Sequence, residues 1–299
     1  MPLLEVSELK VYYVTRTRGI VRAVDGVSFT LEKNQSLGVV GESGCGKSTM
    51  ALALMRLLPR YAKFSGRIVF DGIDLTKASD DVLREIRGKR IAYIPQDPFT
   101  SLDPLMRVGD QIAEAIMAHE AVSKEEAFER AVKVLESVGI MGSRAYDYPH
   151  QFSGGMRQRA LIAMAIALNP DLIIADEPTT ALDVIVQAQI LNLLNDLRRR
   201  MGVSLITISH DISVVMQVSD RVAVMYAGKI VEEGRAAVIA ESPLHPYTKA
   251  LIKAVPDIDA RFQTFESIPG SPPDLRNPPP GCRFHPRCPY ATDRCRREE

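Results

Sequence analysis

No stretch of this chain is apolar for long enough to cross a bilayer. The longest apolar run, Ala160 to Leu168, is nine residues, well short of the ~20 that a membrane helix needs. Any membrane role is therefore expected to come through partners. The start, Met1-Pro2-Leu3-Leu4-Glu5, has no basic head and no apolar stretch behind it, so no signal peptide is expected. Excess charge of one sign is also missing. Lysine and arginine together number 37, as do aspartate and glutamate, which leaves no basic field of the kind that holds nucleic acid; no nucleic-acid partner is expected. Cysteine is scarce, four in 299 residues, but three fall within the last eighteen. That crowding points to a metal or cluster site and not to a disulfide framework. No internal repeat is visible. The remaining composition is that of an ordinary soluble chain, long enough for one large or two modest domains with a real core.

The densest signal is Gly41-Glu42-Ser43-Gly44-Cys45-Gly46-Lys47-Ser48-Thr49. It follows the apolar Leu37-Gly38-Val39-Val40 and precedes a helical stretch from Met50, so the G-x-x-x-x-G-K-[ST] pattern stands where it must, between a buried strand and a helix. The glycines let successive backbone N–H groups turn inward as an anion nest, and the helix start behind them adds partial positive charge. Lys47 is expected to reach the β- and γ-phosphates and Ser48 to ligate Mg²⁺. A nucleoside triphosphate is the expected ligand.

Two further constellations fit that ligand. Leu172-Ile173-Ile174-Ala175 is a continuous apolar run, the mark of a buried parallel strand, and it ends on Asp176-Glu177. Asp176 is placed to hold Mg²⁺ and Glu177 to polarise an attacking water. Phe152-Ser153-Gly154-Gly155-Met156 then offers an N-cap serine and two glycines that open helix N-terminal amides to close approach. This second phosphate site has no phosphate loop of its own, which implies a head-to-tail dimer with each half-site completed by the other subunit. His210, after a strand-like stretch at 203–208, and Gln96, after another at 90–94, are weak signals alone.

The pattern of elements is α/β. Strand-like alternation fills the first forty residues and recurs at Arg67–Phe70. Ser123 caps a helix running to Gly139, and a second helix follows Ser153 as far as Asn169-Pro170. The expected fold is a P-loop ATPase core with a parallel sheet, an N-terminal antiparallel β subdomain, an inserted helical subdomain at about 97–168, and a Pro/Cys-rich extension. Residues 1–240 are read as the nucleotide-binding domain and 241–299 as the extension, loop-like or extended from Glu241 onward because of its prolines.

These residues, taken in order over about 3–240, resemble the ATP-binding subunit of an ABC transporter. The resemblance implies that Gln96 is the Q-loop residue, a Mg²⁺ ligand beside Ser48 and Asp176. It implies that Ser153, Gly154, Gly155 and Met156 form the signature facing the partner's ATP, with Met156 where many members have glutamine. Asp183, in Ala181-Leu182-Asp183, becomes the D-loop residue, His210 the switch, Glu177 the general base, and Tyr13 the aromatic stacked on adenine; catalysis would rest on Glu177, His210, Gln96 and Lys47. Ser242-Pro243-Leu244-His245-Pro246-Tyr247-Thr248 and Cys282-Arg283-Phe284-His285-Pro286-Arg287-Cys288-Pro289 look like the tail of dipeptide and oligopeptide importers, of the D-type ATPase. By spacing, Cys282, His285, Cys288 and Cys295 also suit zinc; by the resemblance, Cys282, Cys288 and Cys295 would hold a [4Fe-4S] cluster whose fourth ligand is outside this sequence. The implied machine is peripheral at the cytoplasmic face of the cell membrane. It uses ATP and Mg²⁺, and its partners are permease subunits, a second ATPase subunit and, indirectly, an extracytoplasmic substrate-binding protein. Peptide, oligosaccharide and nickel cargoes stay open, as does a soluble ABC ATPase without a permease.

Overall fold

The computed structural model describes residues 1–15, 19–255 and 268–298. The part of the extension at 256–267, and Glu299, lie outside the described residues. The chain divides into two compact units: one gathers residues 1–32, 36–77 and 208–299, the other 33–35 and 78–207.

The first unit holds a four-stranded antiparallel sheet in the order Gly19–Leu31, Leu4–Thr15, Ala62–Phe70, Ile73–Asp74. Alternation sets it: Leu4, Val6, Leu9 and Val11 are buried, and slips between Val6 and Leu9 keep the apolar set on one face across a bulge. Beside it in sequence, strand Ser36–Val40 is buried at every position and pairs in parallel with Arg221–Tyr226, which forms a hairpin with Lys229–Arg235. Apolar residues of these strands, with Ile212, Val215 and Ile239, build a core that Tyr247 and Phe284 of the extension complete.

The extension is therefore not wholly loop-like. Pro246–Lys253 is a helix with proline in its first turn, where the missing N–H costs nothing, and the His245 ring nitrogen accepts the Tyr247 N–H at 3.1 Å. A 3-10 turn at His285–Arg287 follows, and residues 293–297 form turns. The prolines start and bend these pieces; they do not prevent them.

The second unit carries strands in the order Ser204–Ser209, Leu172–Asp176, Ile91–Ile94, the last two parallel; residues 208 and 209 of the first of these belong to the other unit. Helices Val108–Met117, Lys124–Ser137, Gly154–Ile166 and Val184–Met201 supply most of its core. Val108–Met117 was not anticipated from the sequence, since no polar cap side chain announces it: its N-cap is Arg107, without a side-chain bond. Val184–Met201 begins directly after Asp183, whose carboxylate accepts the Val186 N–H at 2.9 Å and so acts as its N-cap.

Candidate functional site

In the first unit the loop 41–46 links the buried strand Ser36–Val40 to helix Lys47–Leu54. Gly46 is the N-cap, at φ 108°, and no side chain caps the helix; a helix start of this kind suits an anion. Only glycine fits there: a Cβ on Gly46 would lie 2.0 Å from the Ala23 carbonyl oxygen, and one on Gly41 would lie 2.0 Å from that of Met225. The backbone of the loop is thus pressed against both neighbouring strands.

Lys47 is buried, 5% exposed, and its ammonium donates to the carbonyls of Gly41 (2.7 Å) and Glu42 (3.2 Å). The charge is held inside the loop by the loop's own backbone. Cys45 lies 3.8 Å from the same nitrogen. Burial pushes its thiol up, the Lys47 charge pulling the other way, so Cys45 is a small filler here and not a nucleophile. Ser48 is exposed at the helix start. The Thr49 hydroxyl is 3.1 Å from that of Tyr13, whose ring also meets Tyr61 at 5.7 Å between centroids. That places a half-buried aromatic ring beside the loop. His210 is exposed immediately after strand Ser204–Ser209; Asp211 behind it caps the next helix by accepting the Ser213 N–H at 2.8 Å.

Glu42, expected to line the phosphate cradle, is engaged elsewhere. Its N–H donates to the Tyr247 hydroxyl at 2.9 Å, and its carboxylate takes two bonds from Arg287, at 2.7 and 3.0 Å. Sequence reasoning missed both partners, which lie more than 200 residues away; no local signal marks them.

In the second unit the acidic pair stands at the carboxyl end of Leu172–Asp176. Asp176 is 1% exposed and accepts the Tyr93 hydroxyl at 3.0 Å. Burial and the Asp176 charge push the Tyr93 phenol well up, so it stays a donor and orients the carboxylate. Glu177, 8% exposed, adopts φ 49° and accepts the Thr180 hydroxyl at 2.8 Å. A positive φ at a non-glycine residue is a strained conformation, and such strain clusters at active sites. Gln96 is exposed just beyond strand Ile91–Ile94.

Ser153 caps helix Gly154–Ile166 by accepting the Met156 N–H at 3.4 Å. Gly155 is required where it stands, since a Cβ would come 2.6 Å from Val186 Cγ1. The helix start and the segment after Asp183 are therefore packed closely, and Val184 and Ile185 beside them are 81% and 73% exposed.

The donors expected for Mg²⁺, the Ser48 hydroxyl, the Gln96 amide and the Asp176 carboxylate, are all oxygen. That hard set suits Mg²⁺ and not a softer metal. The expected thiol site is not assembled among the described residues. Among the described residues no group of three or more His, Cys, Asp or Glu side chains is placed to hold a metal, and all four cysteines are free. Cys282 and Cys288 pack against the Tyr226–Tyr247–Phe284 core, and the Cys295 thiol lies 3.4 Å from the Thr292 hydroxyl. Cys288 and Cys295 both act electrostatically on Cys282, but the described residues do not gather the tail thiols into a zinc or iron–sulfur site.

Comparison with known proteins agrees with this arrangement. A family profile described as ABC transporter matches residues 24–180, and one described as the C-terminal region of oligopeptide/dipeptide transporters matches residues 231–295. The chain is 52% identical over 291 residues to the dipeptide transport ATP-binding protein DppD of Bacillus subtilis, spanning 96% of this chain and 87% of that one. It is 48% identical over 295 residues to the oligopeptide transport ATP-binding protein OppD of Salmonella typhimurium, spanning 98% and 88%. Among solved structures it resembles the dimeric post-hydrolysis state of the ATP-binding cassette MJ0796 bound to ADP and Pi, with TM-score 0.69 and 28% identity over 78% of this chain and 98% of that one. It also resembles cbiO1 of Clostridium perfringens, part of the transporter complex cbiONQ, with TM-score 0.67 and 27% identity over 81% and 92%. With a complete phosphate loop, a strand ending in Asp176-Glu177 and a tail of this kind, the chain belongs to the ABC transporter ATP-binding proteins, in their oligopeptide/dipeptide branch.

Proposed function

We propose that this protein is the ATPase subunit of an importer that takes up peptides through a membrane permease, working as a head-to-tail dimer with a second ATPase subunit at the cytoplasmic face of the membrane. The observation that carries the ATPase is the loop 41–49, with Lys47 buried among its own carbonyls and the helix amides behind it uncapped. The tail profile over residues 231–295 and the two peptide-transport relatives support peptide cargo.

The chain's own residues divide the work as follows. Lys47 and the amides of Gly44 to Thr49 hold the phosphates, and Tyr13 stacks on the adenine. Ser48, Gln96 and Asp176 would hold Mg²⁺ through their oxygens, with Tyr93 fixing the Asp176 carboxylate, and the bound ion would supply neutralisation of the phosphate charge. Glu177, turned by its positive φ, takes a proton from the attacking water, and His210 contacts the γ-phosphate. Ser153, Gly154, Gly155 and Met156 face the partner's ATP, with Asp183 beside them; the exposed Val184 and Ile185 support a subunit contact there. Stabilising phosphate charge is the largest share of such catalysis. Residues 1–240 act as the nucleotide-binding domain and 241–299 as its extension.

The test is uptake in cells whose only copy carries Glu177→Gln, with labelled peptides and labelled oligosaccharides compared against wild type. Loss of peptide uptake alone supports the proposal. Loss of sugar uptake alone replaces the cargo, and unchanged uptake of both overturns the peptide assignment and leaves a third cargo, such as nickel, or a soluble ABC ATPase.

A further inference from the structure

Glu42, the second residue of the phosphate loop, is gripped twice by the extension. The Arg287 guanidinium forms a two-pronged pair with its carboxylate, and the Tyr247 hydroxyl takes its backbone N–H. Neither gripping side chain is at the surface: Arg287 is 8% exposed and Tyr247 is fully buried. Arg287 is itself fixed from behind, donating to the carbonyls of Pro269 (2.7 Å) and Ile268 (3.3 Å) and to the Tyr226 hydroxyl (3.3 Å). Tyr247 is wedged against Tyr226 and Phe284, with ring centroids 4.6 and 5.3 Å away.

The pair is partly buried, the Glu42 side chain being 26% exposed, and such a pair is weak grounds for stability because desolvation offsets much of the Coulomb gain. What distinguishes this one is where Glu42 sits. Its carbonyl oxygen accepts both the Lys47 ammonium and the Cys45 N–H, each at 3.2 Å. Moving Glu42 therefore moves the acceptors that hold the phosphate-binding lysine and the turn that shapes the nest. A bidentate arginine fork fixes direction as well as distance. The turn beyond strand Arg221–Tyr226 is tied in as well: the Gly228 N–H donates to the Cys45 carbonyl at 2.8 Å, and Arg283, from the same tail, bonds the Ala227 carbonyl and pairs with Asp25.

We propose that Arg287 and Tyr247 are positioning residues for the nucleotide site: the extension sets the shape of the phosphate loop through Glu42, so that nucleotide affinity depends on a tail more than 200 residues away in sequence. This rests on the reading of loop 41–49 as the triphosphate cradle. Neither residue touches the nucleotide; both act through Glu42.

The test is titration of the full-length chain with a fluorescent ATP analogue, with kcat and KM for ATP alongside. Arg287→Met and Glu42→Gln are each expected to weaken binding roughly tenfold, a usual size for coupling between contacting groups. The double variant is expected to be no weaker than either alone, and KM is expected to move more than kcat. Arg287→Lys keeps charge and burial but loses the fork; it covers the case in which Arg287→Met does not fold and is expected to fall between that variant and wild type. Tyr247→Phe removes only the hydroxyl and is expected to weaken binding several-fold with the fold intact. Lys47→Ala tells the two readings apart. If it abolishes binding while Arg287→Lys, Tyr247→Phe and Glu42→Gln all bind as wild type, the positioning role is overturned and the cradle stands. If Lys47→Ala still binds tightly, the cradle reading fails and takes this one with it.

Discussion

Glu177 and Ala181 both sit at positive φ, 49° and 62°, a backbone region costing a non-glycine residue about 1–3 kcal/mol. The Thr180 hydroxyl bond to the Glu177 carboxylate, at 2.8 Å, is one visible restraint on that turn. A bond to a charged group is worth about 1.5–3 kcal/mol, so Thr180→Ala should lower kcat for ATP hydrolysis about tenfold or more. ATP affinity should hold, and Thr180→Ser should restore the rate. An equal loss of affinity would place Thr180 in nucleotide binding instead. A second residue-scale effect belongs to Asp25. Burial pushes its carboxyl up, but the Tyr12 hydroxyl and the Arg283 guanidinium outweigh that and hold it below the ordinary carboxylate range. A carboxyl lowered in the fold contributes stability in full above its unfolded pKa, about 3.9, and loses it as pH falls through the lower, folded value. The urea midpoint of Asp25→Asn should therefore trail wild type at pH 7, and the gap should narrow as pH falls below the unfolded pKa of about 3.9. A gap independent of pH would mean that the pair contributes nothing through charge. At this scale the sequence was most legible where chemistry and spacing coincide, as at Lys47, Asp176 and Glu177. Partners such as Tyr93, Arg287 and Tyr247 were invisible, because folding alone brings them near.

Elements were legible wherever a cap or an alternation announced them. Ser123 and Ser153 both cap the expected helices, and the strand ending at Asp176 runs where its apolar stretch places it. Val108–Met117 escaped for want of a polar cap, and Pro246–Lys253 because a proline-rich segment reads as coil until its first-turn proline is recognised. Glycine at a helix contact is likewise ambiguous from sequence. Gly155 looks like an opening for phosphate, yet it also makes room for Val186 Cγ1. A methyl group there overpacks a stiff β-branched neighbour, which typically costs about 1–3 kcal/mol. Gly155→Ala should lower the unfolding midpoint accordingly, and adding Val186→Ala should recover most of the loss. If the second change recovers nothing, the glycine is required by its backbone and not by its neighbour.

For the chain as a whole, sequence reading takes residues 1–240 as the nucleotide-binding domain and 241–299 as an extension, while the compact units group residues by packing instead. The extension shares a unit with residues 1–32 and 36–77, to which Tyr247, Phe284, Arg283 and Arg287 bind it. Nothing local foretells that. A Pro/Cys-rich tail looks dispensable because its apolar residues are few, yet Tyr247 and Phe284 are 0% and 2% exposed and close the core over Val222, Val224 and Tyr226. Removing a buried phenylalanine costs about 3–5 kcal/mol, a large part of the stability of a typical domain. Phe284→Ala should therefore lower the urea midpoint substantially, and a chain ending at residue 241 should lose cooperative unfolding in this unit and precipitate on expression. The decisive comparison is calorimetry of the shortened chain beside Phe284→Ala. If the shortened chain melts as sharply and as late as wild type, the extension is an appendage. If both variants lose stability together, the nucleotide-binding unit is not complete at residue 240, and the tail is part of its core.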